Sequence, residues 1–396
     1  MWARVDSRLK AGAAVLTAIW ALLPLPSVAL GAPATLTWSR ALHVPGVLDV
    51  VGPRSDGRLV VAAGGKLYLL DPATGSRTQF AAGAGGYSRS AGGEPYIALS
   101  TGTRVPSAGC GFTPDELFVL QLEPAGGVLR IDGQGRVHAF ATVDGVDSLN
   151  GITFDSTGRF GGRLLVSGPS HGATVVAAID CRGRATHVTD AGPVVEGGLA
   201  VAPAGFGAYG GDLVAPDELS GNLYAIAPDG FSSLLASSGL PGGGDIGVEG
   251  AGFAPPGFEG GAAYFADRST PGNPHPGTDS LLRLDGKSLS AAGVRQGDLL
   301  VATEGGAALI AVRCAQSCQV TRLVEGDTAH GEGHLLVVGA GQPSPGRVLP
   351  EASDLGRAAL TQRLLLIGGA TLAVALAVAL VSLLVVRRRR SSPRRS

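Results

Sequence analysis

Between residues 32 and 363 the sequence has no amphipathic helical stretch of useful length. The 3.6-residue apolar period that lets a surface helix bury one face is missing. Its absence excludes a helical bundle and the alternating strand–helix order of an α/β sheet. A basic excess is missing too. The whole chain has a formal net charge of −1. The first 31 residues carry +2 and residues 364–396 carry +6, which leaves −9 on residues 32–363. Phosphate backbones repel an acidic body of this kind, so nucleic acid is not an expected partner. Cysteine is scarce, with four in 396 residues. The one close pair, Cys314 and Cys318, has no second pair of ligands beside it and does not match structural zinc spacing.

The two ends set an expected topology. Arg4, Arg8 and Lys10 stand against one acid, Asp6, and an apolar run follows at 11–23. Pro24 and Pro26 come next, then the small residues Ser27, Ala29, Gly31, Ala32 and Ala34. A charged start, a short apolar middle and a small-residue exit are the parts of a secretory signal, expected over residues 1–31. Cleavage after Ala29, Gly31 or Ala34 fits equally, and an uncleaved anchor is the alternative, which the two prolines oppose. At the other end, residues 364–386 contain no charge. As a helix they would be about 35 Å long, enough to cross a bilayer. Arg387, Arg388, Arg389, Arg390, Arg394 and Arg395 follow in the tail 387–396. Dense positive charge marks the cytoplasmic side and contacts anionic lipid. The expectation is a single-pass membrane protein with an extracytoplasmic body at 32–338 and a stalk at 339–363. Within the stalk, Leu349 to Ser353 (LPEAS) resembles a degenerate sorting signal but lacks its remaining residues, and a plain Gly/Pro/Ser linker is the better reading.

What the body has in abundance is punctuation. Glycine accounts for 63 residues of the chain and proline for 25. Short apolar runs alternate with Gly, Asp, Asn and Pro, the pattern of short strands and tight turns. Three segments align: GGRLLV at 161–166, GGDLVA at 210–215 and GGAAYF at 260–265, with starts 49 and 50 residues apart. Weaker copies lie at 56–61, 115–120 and 296–302. A second apolar run follows each copy, and a third run or a preceding one completes many of them. Four strands per unit at this period describe the blades of a β-propeller. The expected fold is all-β with six blades; seven is the alternative, because 47–51 and 334–338 both qualify as first strands. The segment 286–296 is short for its blade and is expected to lack a strand.

LNGITFD at 149–155, VEGGLAV at 195–201 and GNLYAIAPDG at 221–230 carry a family resemblance. They resemble six-bladed propellers of the NHL-repeat and gluconolactonase-like type. The resemblance covers about 300 residues as architecture and a handful as chemistry.

An even number of cysteines in an exported domain favours disulfides. Cys314 and Cys318 flank a three-residue turn between strands and form an expected local clip. Cys110 follows a first strand and Cys181 follows a third strand in the next blade. Loops of those two kinds emerge on one face, so these two are the second expected pair.

The mouth of a propeller is built from residues just before each first strand and from loops joining second and third strands. The first group contains Asn150, Glu196, Glu249 and Glu332, each immediately before a glycine. The second contains His171, Asp217, Glu218, Asp267, His275 and Glu304. Carboxylates and an amide converging on one channel are candidate oxygen ligands for Ca2+ or another divalent cation. The resemblance implies Asn150 as a metal ligand and Glu196 in the ligand-and-base position, the candidate catalytic residue. It also implies a first-blade glutamate that is missing at Gly46-Val47 unless Glu332 supplies it by ring closure. The plainer alternative is that acids before glycine satisfy turn amides around a wet channel. The loop at 267–279, with three prolines and two glycines, is the expected contact for a partner, through Asp267, Arg268 and His275. Two motif matches carry no chemistry. G-x-S-x-G at 168–172 precedes an apolar β-branched run rather than a helix. His330 and His334 have zinc-protease spacing, but two glycines between them oppose the helix that spacing needs. The reading is a membrane-anchored extracytoplasmic propeller that binds a partner protein or small ligand. The alternative is a divalent-metal-dependent lactonase-like hydrolase.

Overall fold

The computed structural model describes residues 36–340, apart from 90–92 and 124–125. The expected signal, nearly all of the stalk, the apolar span and the basic tail lie outside the described residues. Among the described residues no helix is long and apolar enough to cross a membrane.

Six four-stranded antiparallel sheets form the blades of a propeller, so six blades are correct and the seven-blade alternative is not. The first blade contains Val47–Val51, Leu59–Ala63, Lys66–Leu70 and Arg77–Phe80. The second contains Ile97–Leu99, Leu117–Gln121, Gly127–Ile131 and Val137–Thr142. A small hairpin, Arg104–Val105 with Cys110–Gly111, is inserted after its first strand. The third contains Gly151–Phe154, Leu164–Ser170, Ala173–Ile179 and Ala185–Gly192. The fourth contains Ala200–Val201, Leu213–Asp217, Asn222–Ile226 and Ser232–Ser237.

Middle strands read as unbroken apolar runs because a blade is covered on both faces by its neighbours. Leu59–Ala63 and Leu299–Thr303 are buried throughout. Outer strands meet solvent and alternate or turn polar, as in Val137–Thr142.

Blades five and six do not follow chain order. The inner strand of blade five, Val248–Phe253, pairs with Leu299–Thr303, which continues to Leu309–Cys314 and Cys318–Val324. The strands between, Ala262–Asp267 and Ser280–Asp285, belong to blade six. The inner strand of blade six is the late segment Gly331–Val338, and its outer strand is the early segment Ser39–His43. Chain order would place the run at 250–255 in one blade with the third GG repeat at 260–265, but it pairs with Leu299–Thr303 in blade five, and the repeat is a blade-six strand. The interlock explains both irregularities of the repeat pattern. Segment 286–296 lacks a strand because the N-terminal strand completes blade six, and 334–338 is a first strand whose partners precede it. The gap itself holds one short helix, Gly286–Ala291, packed by Leu289.

Between blades the core is aliphatic, with one aromatic concentration. Phe112, Phe118, Phe140 and Phe154 pack edge-to-face between blades two and three, with centroids 4.9–5.4 Å apart for the close pairs. Beside them Cys110 is bonded to Cys181, 71 positions away, and Cys314 is bonded to Cys318 across a hairpin end of blade five. Trp38 fastens the closing strand. It is 5 % exposed, and its indole N–H donates to the Ala307 carbonyl at 2.8 Å. Trp38→Ala should therefore lower stability by about 3–5 kcal/mol, the cost of removing a buried aromatic. Urea unfolding followed by tryptophan-independent circular dichroism measures it. A change near zero would mean that the N-terminal strand is not what closes the ring.

Candidate functional site

Inner strands run from the mouth of the channel to its base. Second-to-third-strand loops return to the mouth, so both groups of candidate residues lie at one end of the channel. There the blades deliver six glutamates. Glu94 precedes the inner strand of blade two, and Glu196 precedes that of blade four. Glu249 and Glu332 sit at the start of the inner strands of blades five and six. Glu218 and Glu304 come from the loops that follow second strands in blades four and five.

Glu249 and Glu332 are each 2 % exposed. The buried Tyr96 hydroxyl lies between them, 2.9 Å from Glu249 Oε1 and 3.2 Å from Glu332 Oε2. One hydroxyl has one proton to give, so it cannot neutralise two carboxylates. Burial, with the charges of Glu332 and Glu304, pushes the Glu249 carboxyl well above its usual range. Burial, with the charges of Glu249 and Glu332, also pushes the Tyr96 phenol well up. Arg268 Nη1 bridges Glu94 Oε1 at 2.7 Å and Glu332 Oε1 at 2.8 Å. Burial and the neighbouring Glu332 still hold the Glu94 carboxyl up.

His330 Nε2 is 2.9 Å from Glu304 Oε1 and 3.6 Å from Glu332 Oε1. Burial works against its charge, but the two carboxylates win and raise the imidazole to about 10. Glu218 is raised to about 8 by burial and by its hydrogen bond to Glu304. Glu196 is partly exposed, and burial followed by the charges of Glu218 and Glu332 raises its carboxyl. The glycine after it has a structural reason. Gly197 has φ +83°, and a Cβ there would lie 2.3 Å from Glu249 Oε2.

The sequence candidates divide by place. Glu196, Glu249, Glu332, Glu218 and Glu304 come together. Asn150 stands aside, donating from Nδ2 to the Val195 carbonyl at 3.0 Å and accepting from Ser167 at 3.1 Å. Asp267 is fully buried and accepts the His330 main-chain N–H at 2.8 Å, so it anchors its loop instead of presenting it. Arg268 turns inward to the glutamates. His275 is held by the Asp327 carbonyl at 2.8 Å. His171 bonds Ser170 on an exposed turn, and Asp217 caps the turn at Ser220. Sequence reasoning missed Glu94, Tyr96 and the role of His330. Glu94 precedes Pro95, not glycine, but His330 precedes Gly331 and fits the rule that found the others.

No protein-family model and no curated protein matches the chain. Solved structures do. Virginiamycin B lyase from Staphylococcus aureus is 12% identical with a TM-score of 0.40, covering 76% of this chain and 90% of that one. A streptogramin B lyase is 10% identical with a TM-score of 0.40, covering 76% and 88%. A putative gluconolactonase is 17% identical with a TM-score of 0.36, covering 59% and 71%. The resemblance to these propellers is one of fold.

The site predicts a pH dependence. A histidine raised to about 10 gives stability that is full below its unfolded value of 6.5 and lost as pH rises toward 10. The Glu218 carboxyl keeps its proton to about 8 when folded and releases it near 4.5 when unfolded, so stability falls across that interval too. The melting temperature should therefore be highest in mild acid and fall steadily to pH 10. Glu218→Gln should flatten the fall below about pH 8 and leave the part above it. A melting temperature that climbs from pH 5 to pH 9 would contradict this electrostatic picture.

Proposed function

We propose that this chain is a membrane-anchored, extracytoplasmic propeller that binds a positively charged group of a ligand or partner in its acidic mouth. One observation carries the reading: six glutamates meet there around two cationic side chains, Arg268 and His330. A partly dehydrated site strengthens each charge interaction, so uncompensated carboxylates favour an arriving cation. The rim suits a cation on an apolar stem. Leu219 beside Glu218 is 62% exposed, and Val194 near Glu196 is 45% exposed. Anchoring and export are supported by the uncharged run at 364–386, the arginines after it and the two disulfides. Protease added to intact cells should remove the propeller and spare the tail; a protected propeller would reverse the topology.

Spermidine is a suitable probe. On metal-free protein at low salt it should bind by calorimetry and raise the melting temperature, with both effects weakening as salt is added. The double change Glu196→Gln with Glu218→Gln should weaken binding by about tenfold or more. No heat and no thermal shift would remove the amine reading. Hydrolysis is the second reading, favoured by Glu196, which combines partial exposure with a raised carboxyl suited to proton transfer. Turnover of an aldonolactone, lost in Glu196→Gln, would put hydrolysis first.

A further inference from the structure

We propose that Glu304, His330 and Glu332 form a binding site for one transition-metal ion of the zinc or manganese class. Their ligand atoms all lie within 4.8 Å of one another, and all three residues are buried. The site shares the mouth with the amine reading but uses different chemistry, an imidazole nitrogen beside two carboxylates.

The geometry is close to a coordination sphere. Ligand atoms held about 2.0–2.2 Å from a tetrahedral zinc are roughly 3.3–3.6 Å apart. The separations from His330 Nε2, 2.9 and 3.6 Å, bracket that value. Movements of a few tenths of an ångström, within side-chain freedom, would admit the ion in place of the imidazole proton.

The backbone holds the three groups in place. His330 and Glu332 are two positions apart in extended chain, so both side chains project to one side while Gly331 separates them. Glu304 is stapled alongside. The Gly331 N–H donates to the Glu304 carbonyl at 2.7 Å, and Gly306 N–H donates to the Ala329 carbonyl at 2.8 Å. Gly305 and His330 form a β-bridge.

A second observation concerns the His330 ring. It is 2% exposed, and its other nitrogen, Nδ1, is buried without a hydrogen-bond partner. Only the carboxylate side holds the ring, and a buried imidazole left half satisfied is costly. A metal–nitrogen bond at Nε2 would fix the ring more firmly from that one side, while Nδ1 stays unpaired. Outer groups are present as well. Glu218 hydrogen-bonds Glu304, and Arg268 hydrogen-bonds Glu332 Oε1 at 2.8 Å, the supports that orient ligating carboxylates. A carboxylate oxygen has two lone pairs, so Glu332 can accept Arg268 and still bind an ion.

The donor set decides the metal class. Calcium and magnesium take oxygen ligands, whereas imidazole with carboxylates suits zinc, manganese, iron and cobalt. This differs from the all-oxygen site first expected at Asn150, Glu196, Glu249 and Glu332, with which it shares Glu332 alone. Three protein ligands leave at least one position for water or ligand.

The test uses the full chain, stripped with a chelator and dialysed against zinc or cobalt. One equivalent should be retained by elemental analysis, cobalt should give visible d–d absorption, and excess calcium should not displace either. Glu304→Gln and His330→Asn should each cost at least the roughly 10–100-fold in affinity seen for lesser supporting changes. Glu249→Gln should keep the metal. Circular dichroism separates loss of metal from loss of fold, and the Gln variant covers the case where the Asn variant does not fold. Three results would overturn the site: no zinc or cobalt uptake, unchanged affinity in a folded Glu304→Gln, or calcium retention lost in Glu249→Gln. Spermidine binding is measured without metal, so either result can fail alone.

Discussion

The inner strands of three blades meet on one carboxylate, and a fourth joins them through a histidine. Asp49 Oδ1 accepts from Val50 N–H at 2.8 Å and from His334 N–H at 2.9 Å, while Oδ2 accepts from Ile97 N–H at 2.8 Å. The His334 ring completes the crossing, with Nδ1 3.0 Å from Asp49 Oδ2 and Nε2 2.7 Å from the Ile152 carbonyl. Both ring nitrogens face acceptors, which assigns the imidazolium form. Burial would lower its pKa, but Asp49 and the Ile152 carbonyl raise it. The strands approach too closely here for larger groups. At Gly333, with φ +66°, a Cβ would lie 2.7 Å from Asp49 Oδ1. This layer divides the channel. The glutamates stand on its mouth side, and an apolar cavity of about 280 Å³, lined by Val51, Ile97, Leu199, Phe253 and Leu335, lies on the base side.

The mouth works against the stability that the Asp49 layer supplies. Each buried glutamate is disfavoured as an anion by lost hydration and by its neighbours, and two cations do not balance six acids. The folded protein meets this with shared protons and with Arg268, whose guanidinium is itself raised by Glu332 and Glu94 although burial opposes it. Polar groups serving packing alone would be cheaper as apolar ones. A cation of the kind proposed above would offset part of that cost.

Much of the fold was legible because each blade repeats a local signal. GGRLLV and GGDLVA mark second strands that lie where the sequence places them, Leu164–Ser170 and Leu213–Asp217. Partner choice was not legible. GGAAYF carries the same signal, yet its strand pairs with residues 331–338, about seventy positions onward. Nothing local distinguishes it, because both candidate partners are inner strands that carry two glycines near their start. The site was legible where a glycine follows an acid. At Glu196 the glycine is needed because the neighbouring blade's Glu249 packs on it. Glu94 and Tyr96 were hidden because their approach to the axis depends on blade order, and Asp49 because an acid inside an apolar run, VLDVV, gives no sign of three waiting N–H groups. His330 was visible but was read against a helical motif, when on a strand its partner is two residues away, not four.

Closure and site formation are one event in this topology. Arg268 enters on a blade-six strand, Glu304 on a blade-five strand, and His330 and Glu332 on the last inner strand, which completes blade six only after blade five is laid down. Blade six's inner strand lies beside blade five, and the bridge between Gly305 and His330 brings Glu304, His330 and Glu332 together. The same topology fixes where the chain leaves. The last inner strand runs from the mouth to the base and ends at Val338, where Ala340 N–H is bonded to the Gly257 carbonyl at 2.9 Å. The described chain therefore leaves on the base face. The glutamates lie at the opposite end of the channel, where the inner strands of blades five and six begin.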